Sequence, residues 1–573
     1  MKERFRLLAL VLVFSLLLGG CAVAMPGFNL DPLLEGGSQE PDDPHTEFVG
    51  YEKPELEEGE AAFSDLEYVR PDLDAFSALV DEVCAKAAEG EGAVSLMRLL
   101  DKVYAAYDEF YTMDSLADIR YCLDMTDAYY RDEYQFCSEN ESFLEARLDD
   151  MYYALAATAS AGKLESMYFG GGFFDGYRGE AEDSVWAKGF GELLSRESQL
   201  EAQYYEAVGD MLEKYGDITY NTDLYNAYYR DMEEQVGPIL VELVKVRKQQ
   251  AENLGYEDYE SFAWDWYYGR DYSPADAARQ SEQVIRYLVP IYEKIWDQNR
   301  TYRDFDTRAN REDMVDYVAS AAAAMGGDVK AAFDLMMRRE LVDLEQSDNK
   351  YTGSFEVYLT SFQVPFVLVN PTGTILDVST LAHEFGHFVN DYQVDGSYVS
   401  QDISEVFSQG MEYLCLAYAD EDEFDMNLLR RVRMIDSLDT YVEQTAYYTF
   451  ESALYQIPKE ELTVERINEL YAQVASRFGF DGIGWDTAEW VDVTHIFTEP
   501  FYIISYVMSN DAAMQLYQME RDDPGTGLDL FCEMANAWED AGFVNFITEY
   551  GLENPLEEDR IPAIAALFKE TLN

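Results

Sequence analysis

The chain has 573 residues, 48% of them hydrophobic, and its 112 acidic residues against 41 basic ones leave a net charge of −71. That balance excludes nucleic acid as a partner, because binding to a phosphate backbone depends on Lys and Arg displacing counterions. It suits an acidic, well-solvated surface that favours neutral or basic substrates over acidic ones, a preference that added salt weakens.

The first twenty residues read as a targeting segment rather than as part of a fold. MKERFR is basic, LLALVLVFSLLL is apolar but short for a membrane span, and Leu18-Gly19-Gly20 stands directly before Cys21. This resembles a bacterial lipoprotein signal in which Cys21 becomes the lipidated N-terminus. The expected location is then extracytoplasmic, with the membrane reached only through that anchor. Residues 21–60 read as a disordered acidic tether, with Pro, Gly, Asp and Glu dominating NLDPLLEGGSQEPDDPH and EKPELEEGEA. The other cysteines, Cys84, Cys122, Cys137, Cys415 and Cys532, have no CxxC spacing and read as buried thiols.

From about residue 61 the chain reads as predominantly α. Phe76, Leu79, Val80, Val83, Cys84 and Ala87 recur at three and four, which makes one buried stripe on a helix. Similar patterns fill 94–106, 142–161, 194–215 and 228–253. The loop GGGFFDG at Gly170–Gly176 lacks the Gly-Lys-Ser/Thr of a phosphate loop and reads as a flexible connection. The helical rhythm breaks at Ser354–Thr374, SFEVYLTSFQVPFVLVNPTGT, which reads as two short strands and a turn. Pro365 lacks an amide hydrogen and suggests an edge strand, either open to an extended peptide or covered by a loop.

The stretch LAHEFGHFVNDY, Leu381–Tyr392, holds two of the four histidines in the chain. Asp377 offers a capping oxygen, so a helix is expected from about Val378. On that helix His383 and His387 stand one turn apart on one face, able to reach a single ion, and Glu384 sits about 100° round from His383. This HExxH pattern supplies two nitrogen ligands and a neighbouring carboxylate base. Zinc in a hydrolytic site takes a third protein ligand and keeps one position for water. The next helix-patterned stretch, Asp402–Tyr418, places Glu405, Gln409 and Glu412 on one face. If it folds back against the first helix, Glu405 completes a His₂Glu set, and Glu412 becomes a supporting or substrate-binding carboxylate. The physical role that follows for Glu384 is general base toward a metal-activated water.

With these motifs in place, the chain resembles the zinc oligopeptidases typified by thimet oligopeptidase and oligoendopeptidase F, most closely the latter. HEFGH followed by EVFSQGMEY, preceded by PFVLVNPTGTILDVST, is similar to the family's strand, turn, metal helix and third-ligand helix. Val246–Trp264 resembles the opening of its catalytic region, and THIFTEPFYIISYVMSNDAA, Thr494–Ala513, its His-then-tyrosines segment. The likeness runs from about residue 240 to 520. Two positions depart from the pattern: Asn390 stands where a further histidine is common, and Ile504 where a tyrosine is.

The resemblance implies a helical ellipsoid split by a deep substrate channel, with a small sheet beside the metal helix. It implies one Zn²⁺ held by His383, His387 and Glu405, and internal cleavage of short oligopeptides. It makes Tyr506 and His495 the groups that meet the developing oxyanion, with Tyr502, four residues before Tyr506 on a helix entered through Pro500, and Glu412 as substrate-binding groups. The chain then divides into a signal (1–20), a tether (21–60), an N-terminal helical region (61–235) and a catalytic region (236–573). The alternative is an inactive, peptide-binding surface lipoprotein. No feature of the sequence sets an oligomeric state.

Overall fold

The structure, a computed structural model, describes residues 51–572 apart from 52, 58, 179–188, 216–221, 395, 397, 398, 481–487 and 538–541. Cys21, the signal-like segment and most of the tether lie outside the described residues.

Amphipathic repetition builds most of the body. Helix α1 (Leu73–Ala88) starts on Asp72, whose carboxylate accepts from the Ala75 amide, and it buries Phe76, Val80, Val83 and Ala87. Helices α2 (Ala93–Leu123) and α3 (Ala128–Ala156) pack on it around a shared hydrophobic cluster. Phe173 and Phe174 belong to that cluster, and Phe173 stacks on Phe169 at 4.3 Å between ring centres. The GGGFFDG segment is therefore pinned by its aromatic rings rather than being a loose connection, since two adjacent phenyl groups bury too much apolar surface to be left in water. A second and larger core takes in α4 (Phe190–Tyr215), α5 (Thr222–Leu254) and the helices that follow. Among the described residues no helix is long and apolar enough to cross a membrane. Cys122, Cys137 and Cys415 are buried and unbridged, and Cys84 and Cys532 are partly buried.

Among the described residues one three-stranded sheet interrupts the helices, in the order β1 (Val342–Asp343), β3 (Val364–Val369), β2 (Ser354–Leu359). The two strands expected from the sequence form, but Pro365 is in the central strand and not at an edge. It sits opposite Tyr358 of β2. Strand β1 is only two residues long and pairs with Val367 and Leu368, so it ends before it could need an amide from Pro365.

The sheet packs against α6 (Leu376–Val394), which carries the HEFGH stretch. Helix α6 starts two residues before the expected Val378. Asp377 lies inside its first turn, where the carboxylate accepts from the amides of Thr372, Gly373 and Thr374 at 2.7–3.0 Å. Helix α7 (Gln401–Tyr418) crosses α6 at close range, and α8 (Ile504–Asp522) packs along α7. A Cβ at Gly386 would stand 2.3 Å from the Phe407 carbonyl oxygen and 2.6 Å from Ser408 Cα. Glycine at this position lets the two backbones touch.

Candidate metal centre

The close crossing of α6 and α7 decides the geometry of the centre. His383 and His387 project from α6 toward Glu405 on α7, with Nε2 of each ring 3.4 and 3.7 Å from Glu405 Oε2. These are the only three His, Cys, Asp or Glu side chains among the described residues whose donor atoms gather within 4.8 Å of one another. A tetrahedral ion with arms of about 2.0–2.1 Å sets its donors about 3.3–3.4 Å apart, so the separations of the two imidazoles from Glu405 are close to those such an ion needs.

The far sides of the ligand set are also built. His383 Nδ1–H donates to Glu412 Oε1 at 3.0 Å, and His387 Nδ1 lies 2.9 Å from the Ser404 hydroxyl. With Nδ1 engaged, Nε2 of each ring is turned toward the shared focus. Glu405 is fixed on both oxygens, accepting from Tyr502 at 2.6 Å and from Ser408 at 2.7 Å. Glu412 is itself backed by the buried guanidinium of Arg433 at 3.3 Å.

Electrostatics divides these groups by role. Burial works to raise the Glu405 carboxyl, but His387, His383 and the Tyr502 hydroxyl outweigh it and hold it down at about 2. Burial alone would lower His383, yet its hydrogen bonds with Glu405 and Glu412 push it well above its ordinary value. His387, for which burial dominates, falls to about 4. The surroundings thus favour an ionised Glu405 and a neutral His387 and work to keep a proton on His383, one that a cation bound at the focus would displace. Glu384 is not part of the set. Its carboxylate accepts from Ser354 Oγ at 2.6 Å, and burial raises it to about 7 although the His383 charge and the Ser354 hydrogen bond pull it down.

On the other wall, His495 Nδ1–H donates to Glu499 Oε2 at 2.7 Å, and Nε2 lies 3.1 Å from the Tyr506 hydroxyl. A carboxylate only accepts, so in the neutral ring Nε2 accepts from Tyr506. Tyr502 stacks on His495 with ring centres 4.9 Å apart, and the Tyr506 ring is 6.5 Å from that of His383. His383, His495 and Tyr506 keep partial exposure, whereas Glu384, His387 and Glu405 are buried. Tyr502 is not on a helix with Tyr506. It sits in a turn before α8, after Phe501, whose φ is 70°.

The residues singled out in the sequence from His383 to Tyr506 therefore gather in one place. Glu412, expected as a supporting or substrate-binding carboxylate, turns its oxygen to His383, and Tyr502, expected as substrate-binding, turns its hydroxyl to Glu405. Asn390 donates to the Ala535 carbonyl at 3.0 Å and so serves helix packing, and Ile504 is fully buried at the start of α8. Ser354, Gly386, Ser404 and Arg433 also shape the centre and were not anticipated. Only Gly386, an isolated glycine in a helical pattern, carried a local signal.

Residues 63–177 match the Peptidase M3 N-terminal domain, and residues 228–530 match Peptidase family M3. The oligoendopeptidase F homolog of Borreliella burgdorferi is 22% identical over 279 residues, covering 46% of this chain and 45% of its own length. Oligopeptidase PepF of Bacillus subtilis is 23% identical over 288 residues, covering 47% and 42%. The matched part thus spans a little under half the length of these curated relatives. Among solved structures, PZ peptidase A with an inhibitor superposes with a TM-score of 0.75 at 20% identity, covering 89% of this chain and 99% of that one. The oligoendopeptidase F of Enterococcus faecium gives 0.56 at 14% identity, covering 87% and 97%. These likenesses establish the predominantly α fold, and because the family match at 228–530 runs across more than half of the sequence, the chain belongs to peptidase family M3.

Proposed function

We propose that the protein is a zinc-dependent metalloendopeptidase that hydrolyses internal bonds of short oligopeptides. The observation that carries this reading is the convergence of His383, His387 and Glu405, with Glu384 adjacent and outside the donor set. Two imidazole nitrogens and one carboxylate oxygen form a borderline set suited to zinc. His383, His387 and Glu405 would hold a divalent ion there, which would supply Lewis acidity and make a water at the centre more acidic.

Within that frame the chain's own groups carry the proton and charge traffic. Glu384 accepts a proton from the attacking water and returns it to the departing amine, which a carboxyl poised near 7 can do in both directions. Ser354 keeps the Glu384 carboxylate aimed while it waits. Tyr506, turned from His495, donates to the oxygen of the tetrahedral species, and His495 holds the phenol ready for that movement. Glu412 and Ser404 keep Nε2 of each histidine pointed inward. The acidic surface favours neutral or basic peptides.

The proposal extends to the rest of the chain. Residues 61–235 form the N-terminal helical region, 236–573 the catalytic region, and a lipid on Cys21 ties both to the outer side of a bacterial membrane through the 21–60 tether. The test is Glu384→Gln, assayed on quenched oligopeptides beside metal analysis of the purified full chain. The variant is expected to bind one zinc per chain and to lose hydrolysis, and the parent to lose activity to a chelator and regain it with zinc. An active Glu384→Gln protein overturns the reading.

A further inference from the structure

Between His495 and α8 a short helical turn (Thr494–Thr498) gives way to a non-helical turn through Glu499–Phe501, and side chains from one distant stretch hold the carbonyls of Ile496–Phe501. Arg247 donates to the carbonyls of Ile496 and Phe497. The Tyr268 hydroxyl donates to that of Pro500 at 2.9 Å and lies 3.4 Å from that of Glu499. Arg270 Nη2 donates to that of Phe501 at 2.9 Å. Phe501 is a non-glycine residue with a φ of 70°, a conformation that persists only where its surroundings impose it.

Arg270 does more than hold one carbonyl. The same Nη2 donates to the Ser505 hydroxyl at 3.0 Å, in the first turn of α8, and the guanidinium pairs with Asp402 at 3.2 Å. Asp402 lies on α7 one turn before Glu405, and it also accepts from Tyr272 at 2.9 Å and from Ser505. The Arg270 side chain is wholly buried, with its charge 4.3 Å from the Trp264 ring centre and 4.2 Å from that of Tyr268. One planar group thus joins the helix that carries Glu405 to the start of the helix that carries Tyr506.

We infer that Arg270 is a positioning residue for the reaction: by tying Asp402 of α7 to the Phe501 carbonyl and Ser505 of α8, it fixes the Tyr506 phenol relative to the metal-ligand helix. The inference rests on the role proposed above for Tyr506. It requires arginine rather than any cation, because the planar fork serves a carboxylate, a carbonyl and a hydroxyl while aromatic rings cover its faces. A lysine can keep Asp402 paired but cannot span the other contacts.

The experiment is a double-mutant cycle of Arg270→Lys and Tyr506→Phe in the full, zinc-loaded chain, reading kcat, KM and zinc content for each. Tyr506→Phe is expected to lower kcat by about 10²–10³. Arg270→Lys is expected to lower kcat by about tenfold or more, with KM within about twofold and one zinc retained. In the Tyr506→Phe background, Arg270→Lys should change kcat by less than about threefold, since the group it positions is already gone. An unchanged kcat in Arg270→Lys, or losses that multiply in the double variant, overturns the inference while leaving the Tyr506 role intact. An unaffected Tyr506→Phe enzyme overturns the oxyanion role and this inference with it. Ser505→Ala, which removes only the shared hydroxyl, is the milder variant should Arg270→Lys fail to fold. The same loss of kcat and the same non-additivity are expected of it, and their absence counts against the inference.

Discussion

Ser354 donates its hydroxyl hydrogen to Glu384 at 2.6 Å, so the carboxylate beside the metal centre is aimed by the neighbouring β-strand and not by its own helix. The bond favours the ionised form of a carboxyl that burial has raised to about 7. Removing it in Ser354→Ala leaves the charged form less favoured, so the pKa of Glu384 rises further. A base must be ionised to act, and the acid limb of kcat/KM moves to higher pH. A bound cation shifts both proteins downward without changing the order between them. The measurement is kcat/KM against pH for parent and variant. Activity at pH 6 should fall more than activity at pH 8, and superimposable acid limbs contradict the assignment of Glu384.

Metal binding should release protons in a countable way. Near pH 7 Glu405 is already ionised and His387 already neutral, whereas His383 holds a proton through its hydrogen bonds with Glu405 and Glu412. Binding zinc to the metal-free chain at pH 7 is therefore expected to expel about one proton, read by calorimetry in buffers of different ionisation enthalpy. Glu412→Gln removes one of the charges that favour the His383 cation, so fewer protons should be expelled. Loss of that anionic support should also weaken zinc binding about 10–100-fold. Release of no proton by the parent contradicts the charge distribution described for the centre.

How much of this was legible in the sequence depends on how far apart the partners lie. His383, Glu384 and His387 sit on one helix, where the geometry follows from the helical repeat alone. Glu405 needed one further step, the fold-back of α7, and its spacing on a helix with Glu412 made that step readable. Pro365 is central rather than at an edge because sheet order depends on β1, a Val-Asp pair too short to announce itself as a strand. The turn at Tyr502 departs from the expected helix because Tyr268 and Arg270, more than 225 residues earlier in sequence, hold the carbonyls of Pro500 and Phe501. Ser354 is a serine like any other until the sheet places it against α6. Single residues of common type, with partners far along the chain, leave no pattern to read.

Gly386 is the exception that a local pattern could have exposed, and it supports a sharp expectation. An added methyl group meets the Phe407 carbonyl at 2.3 Å, and backbone cannot move aside as a flexible side chain does. Gly386→Ala should force α6 and α7 apart, at a cost of about 1–3 kcal/mol or more by the usual scale of overpacking. Because His383 and His387 are on one helix and Glu405 on the other, zinc affinity should fall together with stability. Denaturant unfolding of the metal-free chain and zinc titration test the two effects separately. A variant with parental stability and zinc affinity shows that the helices are not in contact at this point.

Glu356 gives the last expectation. It lies in β2 two residues from Ser354, is 1% exposed, and neither carboxyl oxygen has a hydrogen-bond partner among the described residues. Burial first, then the nearby charges of Asp391 and Glu384, pushes its pKa well above the ordinary 4.5. The folded chain therefore keeps a proton that the unfolded chain gives up once the pH exceeds about 4.5, and stability falls as pH rises from there until the folded group also ionises. Glu356→Gln removes that penalty while conserving shape. The variant should match the parent near pH 4 and become progressively more stable than it toward pH 8, as read from denaturant midpoints across that range. A gain that does not grow with pH shows that Glu356 ionises freely where it stands, and that its strand leaves it in contact with water.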